Sequence, residues 1–190
     1  MVLNLLFFCY CCNVANAQED NLESKERVSK IELFQSKKGV IIKSIDYNLP
    51  PITTMYTLTS SETKIRVLKT EDDEKYFYQI KIEGKSGSST ASIEYQDLLE
   101  LIKAIKTLKA EENADVSRKN DYLENKFITS DGFQVGYRIK NGRFETGKST
   151  WYMGQGVLLY NEATLKSVDD FEQALENAKM KIDELKALTE

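Results

Sequence analysis

The spacing of apolar side chains changes from that of a strand to that of a helix within residues 75–109, KYFYQIKIEGKSGSSTASIEYQDLLELIKAIKTLK. In the first part, apolar and polar residues alternate, which predicts a half-buried strand over Lys75–Glu83. The apolar face of this strand consists of Tyr76, Tyr78, Ile80 and Ile82. The polar face consists of Gln79, Lys81 and Glu83.

The second part of the same stretch predicts an amphipathic helix. A Gly/Ser-rich loop over 84–89 and a short strand over Thr90–Ile93 come first. Apolar residues then recur every three or four positions, which predicts a helix over Tyr95–Lys109. Its apolar stripe consists of Leu98, Leu101, Ile102, Ile105 and Leu108. A helix that is polar on its other side must cover a sheet, so this stretch favours an α+β fold.

Short β-type runs precede the alternating strand from Ile31 onward. Residues 18–30 carry few apolar side chains and are interpreted as a flexible lead-in. The first strand is expected to end at Pro50-Pro51, because proline has no N–H to donate to a ladder. The runs predict strands over Val40–Leu49, Thr53–Thr59 and Lys64–Thr70, followed by a turn at 71–74.

The same order of elements returns toward the C-terminus. A polar linker is expected over Ala110–Asn120, and a final helix is expected to begin at the capping box Ser167–Asp170. Asn141-Gly142 predicts a tight hairpin turn. Strands are predicted over Tyr122–Thr129, Phe133–Lys140, Phe144–Tyr152 and Val157–Tyr160. The stripe of the final helix consists of Phe171, Leu175, Ala178, Ile182 and Leu185.

The chain therefore contains, twice, a set of antiparallel strands followed by a helix. Ala91-Ser92-Ile93 before the first helix aligns with Ala163-Thr164-Leu165 before the second. A duplication and two unrelated amphipathic helices both explain this pattern. We expect one α+β domain over 31–190, with possible halves 31–109 and 122–190. Its two helices are expected to pack on one face of antiparallel sheet.

Three segments resemble an uncharacterised group of small secreted proteins from Bacteroidetes-type bacteria. They are SIEYQDLLELIKAIKTL (92–108), SDGFQVGYRIKNGR (130–143) and DDFEQALENAKMKIDELK (169–186). The resemblance covers residues 30–188 and rests on layout and hydrophobic spacing. It implies an exported bacterial protein and assigns no site residues.

The N-terminal residues predict export. Residues 2–17, VLNLLFFCYCCNVANA, are uncharged and apolar at their centre. Ala15-Asn16-Ala17 is a small-x-small cleavage signal, so we predict a signal peptide over 1–17 and a periplasmic or extracellular protein. The alternative is a buried N-terminal helix or strand. All three cysteines (Cys9, Cys11 and Cys12) lie in this segment, so no disulfide is expected in the exported chain.

Composition narrows the chemistry further. The 190 residues include no histidine, which excludes Ser-His and Cys-His catalysis and His-ligated zinc. The net charge is −4 and is spread along the chain, so no nucleic-acid partner is expected. We therefore expect no enzymatic activity, cofactor or metal, and no transmembrane segment in the exported chain.

Several motif matches lack the context that their chemistry needs. Gly142–Ser149 matches GxxxxGK[ST], but β-type sequence follows where a phosphate-binding loop needs a helix, so no nucleotide is expected. Ser61–Lys64 matches the S-x-x-K of Ser-Lys acyl enzymes, but Lys64 begins an alternating strand. The carboxylates of 72–74 and Glu111-Glu112 are expected to be solvated. Residues 71–74 also lack the ligand spacing of a calcium loop.

Aromatic side chains supply the remaining candidate site. We predict a ligand- or partner-binding surface made of Tyr137, Phe144, Trp151 and Tyr152, with core packing as the alternative. The favoured function is an exported, non-enzymatic module that binds a protein, a peptide or an envelope component. One alternative is a carrier of a small apolar ligand, with a cavity lined by Tyr76, Tyr78, Ile80 and Phe133. The other is a carboxylate-dependent hydrolase.

Overall fold

The computed structural model describes residues 28–55, 61–84, 87–141, 147–156 and 162–188. Within these ranges the chain forms two four-stranded antiparallel sheets, in the strand orders β1-β2-β3-β4 and β5-β6-β7-β8. This confirms the predicted α+β fold. The elements are α1 (Lys30–Gln35), β1 (Lys43–Ile52), β2 (Ser61–Lys69), β3 (Glu74–Gly84), β4 (Gly87–Glu94), α2 (Tyr95–Val116), β5 (Tyr122–Ile128), β6 (Phe133–Lys140), β7 (Ser149–Gln155), β8 (Glu162–Thr164) and α3 (Val168–Ala187).

Each half of the fold is a meander of four strands followed by a long helix. The first half ends in α2 and the second half ends in α3. The predicted repeat of antiparallel strands followed by a helix is therefore observed twice, while an origin by duplication stays a prediction. The Ser167 half of the capping box predicted for α3 forms, because the Ser167 hydroxyl accepts a hydrogen bond from the main-chain N–H of Asp170 at 3.1 Å.

The inner faces of both sheets and the two long helices share one cluster of buried apolar side chains. α2 contacts strands of both sheets, and α3 contacts β1 and β2. The apolar stripes predicted for both helices are buried, as is the predicted apolar face of β3. The periodicity of the sequence is therefore explained by burial against this shared core.

A short helix that the sequence analysis missed covers part of the outer face of the first sheet. In the capping box of α1, the Ser29 hydroxyl accepts from the main-chain N–H of Glu32 at 3.4 Å. The Glu32 carboxylate accepts from the main-chain N–H of Ser29 at 2.8 Å. Ile31 and Phe34 then pack on Leu68 and Phe77, which form a second apolar cluster. The expected β-type start at Ile31 is therefore wrong, as is the expected total of two helices.

A group of charged side chains fixes α1 to the rest of the protein. The Lys30 ammonium group lies 2.8 Å from the Asp97 carboxylate and 3.0 Å from the Glu94 carboxylate. The main-chain N–H of Lys30 donates to the Asp131 carboxylate at 3.2 Å, and the Ser130 hydroxyl donates to Asp97 at 2.8 Å. Burial and the nearby carboxylates of Asp97 and Glu94 raise the pKa of Asp131. α1 is thus held by groups from both halves of the chain.

Two predicted boundaries are wrong for identifiable reasons. The expected linker over Ala110–Asn120 is helical as far as Val116, because no glycine or proline interrupts α2. β1 continues through Pro50-Pro51 to Ile52, with an irregular register to β2 at that point. β1 pairs on one side only among the described strands, and an edge strand tolerates residues that lack an N–H.

Other predicted segments are shorter or fall partly outside the described residues. Strands β3 and β4 pair out to Gly84 and Gly87, so most of the expected loop over 84–89 is strand. Of the strand predicted over Thr53–Thr59, the described part forms an isolated bridge between Thr54 and Leu165. The strand predicted over 157–160, the start of the strand predicted over 144–152 and the segment 1–27 lie outside the described residues.

Candidate functional site

Three of the four predicted aromatic site residues are buried. The exposed fractions are 0% for Tyr137, 7% for Trp151 and 2% for Tyr152, and Phe144 lies outside the described residues. Successive residues of a strand point to opposite faces, so Trp151 faces the core whereas Tyr152 faces outward. The expectation that these three side chains form one exposed aromatic surface is therefore wrong.

The side chains of Tyr137 and Trp151, which face the core, hold the last turns of α2 against the second sheet. The rings of Tyr137 and Trp151 lie 5.0 Å apart in a tilted arrangement. The Tyr137 hydroxyl donates to the Asp115 carboxylate at 2.7 Å, and the Trp151 indole N–H donates to the Glu112 carboxylate at 2.9 Å. Burial and the hydrogen bond to Asp115 raise the pKa of Tyr137 to about 12. The role of both rings is structural.

The outward ring of Tyr152 is enclosed by a charge-matched network. Its hydroxyl donates to Glu124 at 2.8 Å, and the Arg138 guanidinium lies 3.9 Å above the ring. Arg138 also donates two hydrogen bonds to Glu162, both at 2.8 Å, and one to Glu124 at 2.8 Å. Lys126 lies 3.2 Å from Glu124. Two cations and two carboxylates thus neutralise one another on the outer face of the second sheet.

A cleft of about 380 Å³ between α2 and β5 is lined by three carboxylates, those of Glu111, Asp115 and Glu124. The Asn125 amide donates to Glu111 at 2.8 Å and to Asp115 at 3.5 Å, and Arg118 lies 3.1 Å from Asp115. These contacts hold the end of α2 against β5. The sequence does not predict these contacts, because residues 110–120 have the polar composition of a linker. A helix continued through 116 places residues 111 and 115 on one side, which is the signal that could have found them.

The cavity anticipated for a small-molecule carrier is occupied by side chains. Tyr76, Ile80 and Phe133 belong to the shared core cluster and are at most 7% exposed. Tyr78 also belongs to this cluster, but it borders a separate cleft of about 210 Å³ at the surface. These four side chains pack together without the internal cavity that the carrier hypothesis requires.

A polar groove of about 400 Å³ lies on the outer face of the first sheet, on the part that α1 leaves uncovered. Ile31 and Gln35 of α1 form one wall. The registers between neighbouring strands align one side chain from each strand into a row across its floor. The row consists of Asn48 on β1, Lys64 on β2, Gln79 on β3 and Ser92 on β4.

Two of the three uncharged side chains in this row, Gln79 and Ser92, are hydrogen-bonded to each other. The Gln79 amide donates to the Ser92 hydroxyl at 2.8 Å, and Gln79 is 5% exposed. Thr90 and Lys81 line the groove one step further along β4 and β3. The groove is thus lined by amide, hydroxyl, ammonium and guanidinium groups and by one carboxylate, that of Glu62. Such groups recognise polar ligands through hydrogen bonds.

The groove also carries more positive than negative charge at one corner. Asp46 accepts hydrogen bonds from Lys64 at 2.7 Å and from two guanidinium nitrogens of Arg66 at 2.7 Å. The Arg66 guanidinium, with a smaller contribution from Lys64, holds the pKa of Asp46 well below its usual range. Two cations therefore share one carboxylate here. On the outer face of the second sheet, by contrast, two cations pair with two carboxylates.

This charge arrangement predicts how Asp46 titrates. In the unmodified protein, a carboxyl-detected NMR titration should place the Asp46 pKa below the ordinary aspartate value. R66Q should move it upward more than K64Q does, because Arg66 makes the stronger contact. Because the folded-state pKa is lowered, Asp46 contributes stability above its ordinary pKa, and this contribution is lost as the pH falls. An Asp46 that titrates at its ordinary value would contradict this account.

The rejected motifs have ordinary structural roles. Lys64 of the S-x-x-K match lies in strand β2 and pairs with Asp46, so no helical Ser-Lys arrangement forms. Strand β7 follows Lys148, where a phosphate-binding loop needs a helix. In the turn at 71–74, Asp73 pairs with Lys37 at 2.7 Å and its carbonyl accepts from the N–H of Thr70.

Across the described ranges, no group of three or more carboxylate, histidine or cysteine side chains is arranged to hold a metal ion.

Comparison with known protein families, with curated proteins and with solved structures finds no match to this chain. None of the helices in the described part of the chain combines the length and apolar character that a membrane crossing requires. The assignment of the candidate site therefore rests on the geometry and the charge of the groove.

Proposed function

We propose that the protein is an exported, non-enzymatic module that binds an acidic, hydroxyl-rich ligand in the polar groove of the first sheet. The observation that carries this proposal is the corner at which Lys64 and Arg66 share the single carboxylate of Asp46. An anionic group of a ligand can take up the hydrogen-bond donors that Asp46 leaves over. The predicted signal peptide over 1–17 supports export.

The groove favours a polysaccharide of the cell envelope over a peptide. Its floor is the face of a sheet, so it offers the side chains of Asn48, Gln79 and Ser92 rather than main-chain groups. Extended peptides are usually recognised through main-chain pairing at an edge. Sugar hydroxyls both donate and accept hydrogen bonds, as amide and hydroxyl side chains do. A chain of uronic acids matches both the polar floor and the positive corner.

A calorimetric titration tests this proposal directly. We expect hexagalacturonate to bind and the neutral maltohexaose to bind at least roughly tenfold more weakly, because only the former carries carboxylates. K64Q should weaken hexagalacturonate binding by roughly fivefold to tenfold. K126Q is the matched control, because Lys126 lies on the outer face of the second sheet and is similarly exposed.

Two results would contradict the proposal. One is equal affinity of the unmodified protein for the acidic and the neutral hexasaccharide. The other is an equal loss of affinity in K64Q and K126Q, which would indicate nonspecific attraction of an anion. Hexaglutamate serves as a further probe, and binding as tight as that of hexagalacturonate would replace the polysaccharide by an acidic protein segment.

A further inference from the structure

The row of side chains on the floor of the polar groove runs across the strands, from one edge of the first sheet to the other. Asn48 lies on β1 and Ser92 on β4, and these are the two outer strands of the sheet in the described part of the chain. Neighbouring strands lie about 4.8 Å apart, so the three gaps between four strands give the row a length of roughly 14 Å. The row is therefore longer than one sugar unit.

Both ends of the row are open among the residues that the structure describes. Asn48 at the β1 end is exposed, and so is Thr90, which lines the groove next to Ser92 on β4. Neither β1 nor β4 pairs with a further strand of the sheet within the described ranges. A ligand that lies along the row can therefore extend past the sheet on both sides.

The helix α1 limits the groove in the other direction, parallel to the strands. Ile31 and Gln35 are four positions apart, so they lie on the same side of α1 and form one wall. The helix packs on Leu68 and Phe77. Phe77 lies two positions before Gln79 on β3, so α1 covers the sheet directly beside the row. A ligand that ran along the strands would have to end at α1, whereas a ligand along the row passes beside it.

We infer that the groove binds internal segments of a long acidic polysaccharide and not its chain ends. This inference rests on the proposed function and adds the direction in which the ligand lies. One carboxylate of the ligand lies beside Lys64 and Arg66, and the neighbouring sugars lie over Asn48 and Thr90. Because the polysaccharide continues on both sides of the bound segment, one polysaccharide chain can bind several copies of the protein.

Native mass spectrometry of the full protein with oligogalacturonates of two lengths tests this inference. Hexagalacturonate should bind one copy of the protein, and an oligogalacturonate roughly four times as long should bind at least two copies, because it offers several internal segments. Recognition of one chain end would instead give one copy per oligogalacturonate at both lengths.

Two variants at opposite ends of the row test the direction of the ligand by calorimetry. N48A and T90A should each weaken the binding of hexagalacturonate by roughly threefold, because each removes a hydrogen-bonding group. Digalacturonate is too short to reach both ends of the row, so no more than one of the two substitutions should weaken its binding. N113A and T107A are the matched controls, because Asn113 and Thr107 are exposed on α2 and should leave binding unchanged.

The results separate this inference from the proposed function. One copy per oligogalacturonate at both lengths, with hexagalacturonate bound, would overturn this inference and leave the proposed function in place. Unchanged binding of hexagalacturonate in both N48A and T90A would also overturn it. No binding of hexagalacturonate to the unmodified protein would overturn the proposed function itself.

Discussion

Asp115→Ala should lower the free energy of unfolding by about 3 kcal/mol. Asp115 is 6% exposed and accepts the hydrogen bond of the buried Tyr137 hydroxyl, so its removal leaves that hydroxyl without an acceptor. It also removes the partner of Arg118 at the end of α2. Urea unfolding followed through Trp151 measures the loss, because Trp151 is the single tryptophan of the chain and lies between α2 and the core.

Two further variants separate this mechanism from a general effect of alanine. D121A changes an exposed aspartate just before β5 and should cost less than about 0.5 kcal/mol. In the double variant D115A/Y137F the loss should be smaller than the sum of the two single losses, because the unpaired hydroxyl is absent. If D115A costs no more than D121A, the assigned role of Asp115 in fastening α2 is wrong.

Gly136→Ala should lower the free energy of unfolding by about 2–3 kcal/mol. Gly136 of β6 faces Lys126 of β5, and a Cβ atom there would overlap the main-chain carbonyl of Asn125. It would also lie 2.7 Å from the Lys126 Cα atom, so main-chain atoms would have to move. Chemical denaturation compares the free energy of unfolding of G136A with that of the unmodified protein.

Gly39→Ala serves as the comparison, because it strains the backbone conformation without creating a steric overlap. Gly39 has φ 75°, and a Cβ atom at this position meets nothing within 4 Å. Its alanine variant should therefore cost only the penalty of the left-handed conformation, about 1 kcal/mol. If G136A is no more destabilising than G39A, the close approach of β5 and β6 at Gly136 is not as described.

Helices and strands whose apolar residues recur with a clear period could be predicted from the sequence. Short elements and polar segments could not. α2 and α3 each bury one stripe, and the apolar face of β3 is buried in the same core, so these periods show which side chains face it. The burial of Phe77 on the other face of β3 depends on α1 and has no such signal. α1 has six residues, too few for a period, although Ser29 and Glu32 carry the spacing of a capping box. The last turns of α2 are polar because Glu112 and Asp115 form hydrogen bonds to the second sheet. In the sequence, this polarity looks like that of a linker.

The candidate groove cannot be predicted from the sequence, because it depends on strand register. Lys64 and Arg66 are two positions apart, which places them on one face of a strand once that strand is assigned. Nothing in the sequence indicates that Asp46 lies opposite Arg66, or that Asn48 and Gln79 flank Lys64. The shape of the groove also depends on α1. Trp151 and Tyr152, by contrast, are neighbours in the sequence, but the alternation of a strand places them on opposite faces.

Mapping by NMR of the amide signals that hexagalacturonate perturbs tests the central claim most directly. We predict that the perturbed signals cluster on the groove, at Asn48, Lys64, Gln79, Ser92 and the adjoining Gln35 of α1. Signals of the second sheet around Arg138 should stay in place, since its charges are matched there. Perturbations confined to the second sheet, or none up to millimolar ligand, would contradict the account.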